Sequence, residues 1–295
     1  MIKFEFQVSL IWLIFLLQIS ACSPIDLPFD QLNTARTEYG LTISPDQKTL
    51  YFVRTDSFYT STKRSIYYSH RKNKQWSIPT LASFSGDYSD SSPFISPDGK
   101  YLWFSSNRPV NGHASQHSNI WRIALEEGLP AEEPVYLNMI NDTTSSTNSP
   151  SVDLTGNLYF GSTRKGGQGW GDLWVARYHD GHYQNPVNLG PTLNTRNGEW
   201  GSCISPDGQF LIFENSGNEQ NQSPAGDLYL SYKINGEWQS PIHLQAPWNS
   251  FGSDLTPKIH GTYLYFASNR TKPGGLFDLN DVDILRLPLT ELPKH

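Results

Sequence analysis

Cysteine is nearly absent: Cys22 and Cys203 are the only two among 295 residues. With Cys22 accounted for as below, Cys203 has no partner, and the chain must fold without a disulfide. Cys203 lies in the apolar stretch "GSCISPDG" with no histidine in its pattern, which predicts a small buried hydrophobe rather than a catalytic thiol. Charge is sparse too, at 17 %, and the net charge of −6 comes without any basic run, so nucleic acid is not an expected partner. There is no P-loop, GxSxG, HExxH, or GxGxxG followed by a suitable helix. Histidines are few: His113 and His117 fall in a Gly/Ser/Asn loop, and His179 and His182 flank an Asp-Gly turn. His113 and His117 are four apart, but no helix is there to align either pair for a metal, and no metal or cofactor is expected. What the chain has in quantity is aromatics (13 %), 23 Gly and 20 Pro, the composition of a turn-rich β protein.

Residues 1–21 read as a targeting segment rather than fold. Lys3 precedes the apolar core "VSLIWLIFLL" (Val8 to Leu17), which is too short to span a bilayer comfortably. The following "ISAC" (Ile19 to Cys22) resembles the bacterial lipobox, an aliphatic residue and two small ones before the cysteine that is lipidated and becomes the new N-terminus. The resemblance implies acyl chains on Cys22, each buried methylene adding roughly 0.8 kcal/mol of membrane affinity. Ser23 after it resembles the signal for outer-membrane sorting, with the protein facing the periplasm.

The mature stretch, 22–295, is a single domain of repeats. Strands ending in Phe recur as "TLYF", "YLWF", "NLYF", "FLIF" and "YLYF" at Phe52, Phe104, Phe160, Phe213 and Phe266, spaced by 52, 56, 53 and 53 residues. A period near 53 with short apolar strands is the pattern of propeller blades. Each unit resolves into four strands: a ("GLTIS", "PFIS", "PSVD", "SCIS", "TPKI"), the Phe-ended b, c ("SIYYS", "NIWRI", "DLWVA", "DLYLS", "DILRL"), and a short Pro-bearing d ("SIPTLA", "EPVYLN", "NPVNLG", "SPIHLQ"). The a–b turn is written "SPDG" at Ser96 to Gly99 and Ser205 to Gly208, where Pro presets φ, Asp bonds the backbone and Gly accepts φ > 0. The fold class is therefore all-β, a five-bladed β-propeller of four-stranded blades near 38–82, 90–138, 148–190, 199–245 and 253–289. The fifth unit stops after strand c, while the N-terminus has a spare d-like segment, "SPIDLP" (Ser23 to Pro28). Pairing the two closes the ring and removes free sheet edges. Extended residues span at most about 3.5 Å each, so the lipid on Cys22 would hold blade five close to the membrane.

The "SPDG" turns with "KYLWFSSNR", and the run "GGQGWGDLWVARYHDGHYQNPVNLGPTLNT", resemble the TolB-like β-propeller repeat family of bacterial envelope proteins, over nearly the whole mature chain. Blades two and four fit best; blade one has Gln47 where Gly is usual, and blades three and five read "DLTG" and "IHGT". The additional α/β domain and sixth blade of TolB itself are not visible in this sequence, so the resemblance implies architecture rather than activity.

The start of strand a, the end of strand b and the b–c and d–a loops share one face, here the upper face. Strand a begins at Glu38, Asp90, Asn148, Glu199 and Asp254; strand b ends at Arg54, Arg108, Arg164, Asn215 and Arg270; strand c begins at Ser65, Asn119, Asp172, Asp227 and Asp283. Acid–Arg belts of this kind tie strands and blades together. The alternative is that Glu38, Asp90, Glu199 and Asp254 hold a ligand near the channel. Five-bladed propellers resembling some glycoside hydrolases use central acids, for which Glu38, Asp90 and Glu199 are the candidates. Identical repeat positions speak for the structural role, because an active site breaks the symmetry. Among aromatics, Tyr39 and Trp200 occupy equivalent positions, and Trp170 and Trp248 fall in upper-face loops, where rings beside polar groups suit glycan or peptide recognition; Trp103, Trp121 and Trp174, on strands, are expected to pack between blades. The expected function is a non-catalytic scaffold for a protein segment or glycan, with a carbohydrate-active enzyme as the alternative.

Overall fold

The computed structural model describes residues 27–58, 60–223, 225–270 and 282–294; residues 1–26, including Cys22 and most of the proposed closing segment, lie outside that set. Five antiparallel sheets form a five-bladed propeller. Strands a run Thr37–Ile43, Asp90–Ile95, Thr147–Val152, Gly198–Ile204 and Asp254–His260. Strands b run Thr49–Thr55, Tyr101–Ser106, Leu158–Ser162, Phe210–Ser216 and Tyr263–Ser268. Strands c run Ser65–Lys72, Asn119–Glu126, Asp172–Ala176, Asp227–Ile234 and Asp283–Pro288. Strand d shrinks to a residue pair in blades one to four, such as Val187–Asn188. The a strands neighbour one another around the axis, and the last of them lies beside the first.

Every a strand carries a bulge, and the bulged residue has φ > 0: Gly40 (65°), Ser92 (51°), Ser149 (55°), Gly201 (57°) and Thr256 (52°). A bulge bends its strand and increases local twist. Beyond the bulge the strands are laced together through side chains. Ile95 N–H donates to Thr42 Oγ1 (3.0 Å), Ile204 N–H to Ser151 Oγ (3.2 Å) and Ile259 N–H to Cys203 Sγ (3.2 Å). Cys203 is fully buried, and burial pushes its thiol up, the behaviour of an inert packing residue.

A second recurring device fixes strand c. Asn141 brackets Ile120, accepting its N–H (2.7 Å) and donating to its carbonyl (2.8 Å); Asn194 does the same at Leu173, and Asn249 at Leu228. The residue before each clamp plugs the core: Ile140 and Leu193 are fully buried and Trp248 is 3 % exposed. In blade five the clamp comes from the other end of the chain. Ile284 N–H donates to Asn33 Oδ1 (2.9 Å), Asn33 Nδ2 donates to the Ile284 carbonyl (3.0 Å), and Leu32 supplies the buried plug. Leu27 joins the same apolar cluster as Tyr265 and Ile284. The N-terminal segment thus fastens the ring to its last blade, entering it through a short helix, Phe29–Leu32, that the sequence reading did not include.

Candidate functional site

The repeated acids do not line the upper cavity. Glu38, Asp90, Glu199 and Asp254 are fully buried, each at the centre of a hydrogen-bonded knot. Glu38 accepts from Thr34 Oγ1 (2.6 Å), Thr34 N–H (3.0 Å) and Arg54 Nε (2.7 Å). Glu199 accepts from Thr195 Oγ1 (2.5 Å), Thr195 N–H (3.1 Å) and Asn215 Nδ2 (2.8 Å). Asp90 accepts from Ser85 Oγ and Arg108, both at 2.8 Å, and Asp254 from Ser250 N–H (2.7 Å) and Arg270 (2.6 Å). Burial raises the carboxyls of Glu38, Glu199 and Asp254, against the pull of those donors. Blade three departs from the assigned alignment: Thr147, not Asn148, holds the acid's position, receiving Arg164 Nη2 at 3.2 Å, while Asn148 turns toward the channel mouth. The strand-c acids close loops rather than bridging Arg: Asp172 accepts Gln168 and Gly169 N–H, and Asp227 accepts Gln222 N–H and His243. The belt ties d–a loops, b–c loops and blades together.

The four candidate aromatics separate. Trp248 lies in the core, because its position is that of Leu32, Ile140 and Leu193. Tyr39, Trp170 and Trp200 instead meet at the upper mouth of the channel, around a cavity of about 500 Å³. Trp170 is 56 % exposed and Trp200 half-buried, their ring centroids 5.9 Å apart with planes inclined at 55°. Trp200 is seated by small neighbours: any Cβ at Gly171 would collide with its indole. Trp170 is held by its N–H, which donates to the Asn197 carbonyl (3.2 Å). Arg64, Asn107, Asn148 and several serines complete a polar lining. Burial pushes the Tyr39 phenol up to about 12 against the opposing charge of Arg64, so it stays a neutral hydroxyl.

One residue of this cavity was not singled out from the sequence. Glu214 follows the strand-b Phe of blade four, where the other blades have Val53, Ser105, Gly161 and Ala267. It is 7 % exposed and lines the upper cavity. Its Oε2 accepts Thr256 N–H at 2.9 Å, and its other oxygen has no hydrogen-bond partner among the described residues. Gly201 makes room for it, since a Cβ there would lie 2.8 Å from Oε2. Burial pushes the Glu214 carboxyl up to about 7, offset by the Thr256 N–H and the charge of Lys258. Here the five-fold pattern breaks. Among the described residues it is the one carboxylate lining this cavity.

The fold and this mouth define a five-bladed propeller with an aromatic- and hydroxyl-lined upper opening. No protein-family model and no curated protein matches the chain. Solved structures do. A TolB-like protein from Agrobacterium tumefaciens is similar at 16 % identity and TM-score 0.52, over 86 % of this chain and 83 % of that one. An α-L-arabinofuranosidase from Lactobacillus brevis is similar at 13 % identity and TM-score 0.57, over 87 % and 91 %. A GH43 protein, BlXynB, from Bacillus licheniformis is similar at 13 % identity and TM-score 0.51, over 87 % and 54 %. At these identities the likeness is one of fold, and that fold is shared by proteins of different descriptions.

Proposed function

We propose that the protein is a non-catalytic binding scaffold of the bacterial envelope that takes a glycan, or failing that a protein segment, in the upper mouth of its channel. The observation that carries this reading is the Trp170–Trp200 pair beside Tyr39, Asn148 and Glu214 around one open cavity. A sugar presents an apolar face to a ring and hydroxyls to its surroundings, and this lining offers both kinds of partner. A carboxyl near pH 7 can donate to or accept from a hydroxyl, which suits a neutral ligand.

Glu214 is also what a general acid looks like, a buried carboxyl with raised pKa. Glycoside hydrolysis needs a second carboxyl, at roughly 5–9.5 Å. The candidates for that role, Glu38, Asp90 and Glu199, are sealed in their knots, so binding is the better reading.

A glycan array together with a peptide pull-down, using the chain from Ser23 onward, tests it. Retention of one glycan class is expected, weakened about thirtyfold by Trp200→Ala, the loss of one central aromatic anchor worth about 2 kcal/mol. Hydrolysis of a retained glycan, abolished by Glu214→Gln, would establish the enzymatic alternative. The envelope placement rests on the lipobox-like "ISAC". Labelled palmitate should enter the wild-type protein in a Gram-negative host and not a Cys22→Ser variant; label in both would remove the anchor.

A further inference from the structure

The channel has a second opening. At the lower mouth lies a cavity of about 340 Å³, whose walls are apolar. Ile43, Ile95, Ile204 and Ile259 occupy one repeat position around it, the turn prolines Pro45, Pro97 and Pro206 ring the entrance, and Leu154 stands 67 % exposed at the rim.

In this greasy setting sits Lys258. Thr42, Phe94, Ser151 and Cys203 hold its position in the other blades, and three of those four accept a neighbouring strand's N–H. Lys258 is 3 % exposed, yet among the described residues it has no carboxylate within ion-pair distance and no hydrogen-bond acceptor. Its ammonium lies over the Phe94 ring, 5.6 Å from the centroid. Glu214 acts on it from the upper side of the channel but is engaged by Thr256 N–H, and the Cys203 thiol beside it is held protonated by burial. His260, the other titratable group of the lower cavity, is pushed down to about 4 by burial and is neutral at physiological pH. Burial pulls the Lys258 ammonium down against the more distant charge of Glu214, and a desolvated lysine with no opposite charge within ion-pair distance is costly unless an anion comes to it.

We propose that the lower mouth is a second ligand site, for a small amphiphilic monocarboxylate whose carboxylate meets Lys258 and whose hydrocarbon lies along the Ile, Pro and Leu154 walls. One point charge, with no second cation lining the cavity, suits a singly charged head better than a doubly charged phosphate. The open cavity, about 340 Å³, has room for a short hydrocarbon chain such as that of octanoate. Glu214 and Lys258 feel each other's charge across the channel, but octanoate binding and glycan retention are read separately, so either site can fail without the other.

Titration calorimetry of the purified protein with octanoate, 1-octanol and octylamine decides it. Octanoate should bind at least tenfold more tightly than octanol, and octylammonium should not bind. Lys258→Met, close in size, should abolish the octanoate preference; Leu154→Asp, on the exposed rim, removes apolar wall and adds a like charge, and should weaken octanoate at least fivefold and octanol by less. Octanoate binding no tighter than octanol, or unchanged in Leu154→Asp, overturns the proposal.

Discussion

Glu214→Gln should leave the protein about 3 kcal/mol more stable than wild type at pH 8, and no more stable near pH 4.5. The carboxyl titrates from 4.5 in the unfolded chain to about 7 in the folded one. Between those values the native state binds more protons than the unfolded state, so stability falls as pH rises, and the penalty is complete above pH 7. At 1.36 kcal/mol per unit the shift corresponds to about 3 kcal/mol. Glutamine keeps an acceptor for Thr256 N–H and removes the ionisation. His260 runs the opposite way: with its folded value near 4, against 6.5 unfolded, stability is lost as pH falls from 6.5 toward 4. The two slopes overlap and oppose. Wild-type stability should therefore be nearly flat from pH 4.5 to 6.5 where these two groups are concerned, whereas Glu214→Gln unmasks a rise of about 3 kcal/mol over that window. Urea unfolding at pH 4.5, 6.5 and 8 measures both. If the variant tracks wild type throughout, Glu214 is not held as described.

Asn33→Ala should cost roughly 2–4 kcal/mol, because it strips both partners from the backbone of Ile284 inside the last blade. The clamps within blades, such as Asn194 on Leu173, join residues 21 apart, whereas Asn33 and Ile284 are 251 apart. Losing an inner clamp loosens one loop; losing Asn33 frees the seam of the ring. Hydrogen exchange separates these effects. In Asn33→Ala, amides of Asp283–Pro288 and the segment around Phe29–Leu32 should exchange faster, while blades two to four keep their protection. A loss below about 0.5 kcal/mol, the range of an ordinary surface change, would mean that the N-terminal segment does not close the propeller.

The blade count was legible because a Phe-ended strand recurs in every repeat, with a Pro-Asp-Gly turn before it in blades two and four. The bulge was not, since its positive φ falls on Gly40, Ser92, Ser149, Gly201 and Thr256, and no residue type is common to them. The acids were legible as a repeated set, and their repetition signalled a structural role; that each is sealed by a Thr or Ser four or five residues upstream takes three dimensions to see. The clamp lay within "DQLNT", "GPTLNT" and "APWNS", in which Leu32, Leu193 and Trp248 precede Asn33, Asn194 and Asn249. That alignment, read for its plug position, places Trp248 in the core rather than on a loop surface. Glu214 and Lys258 had a signal of the same kind. After the Phe, "FEN" stands against "FVR", "FSS", "FGS" and "FAS", and within strand a "TPKI" is the only one with a charge at that position. A charged residue at an inward-facing position of one repeat is where symmetry breaks, and the two mark the two mouths of the channel.

Locating the ligand tests the account most directly. A crystal structure of the protein with the glycan retained on the array should show a sugar ring against Trp200, with a hydroxyl within hydrogen-bond distance of Glu214. Density for the glycan on the outer edges of the blades, with the upper mouth left empty, would contradict it.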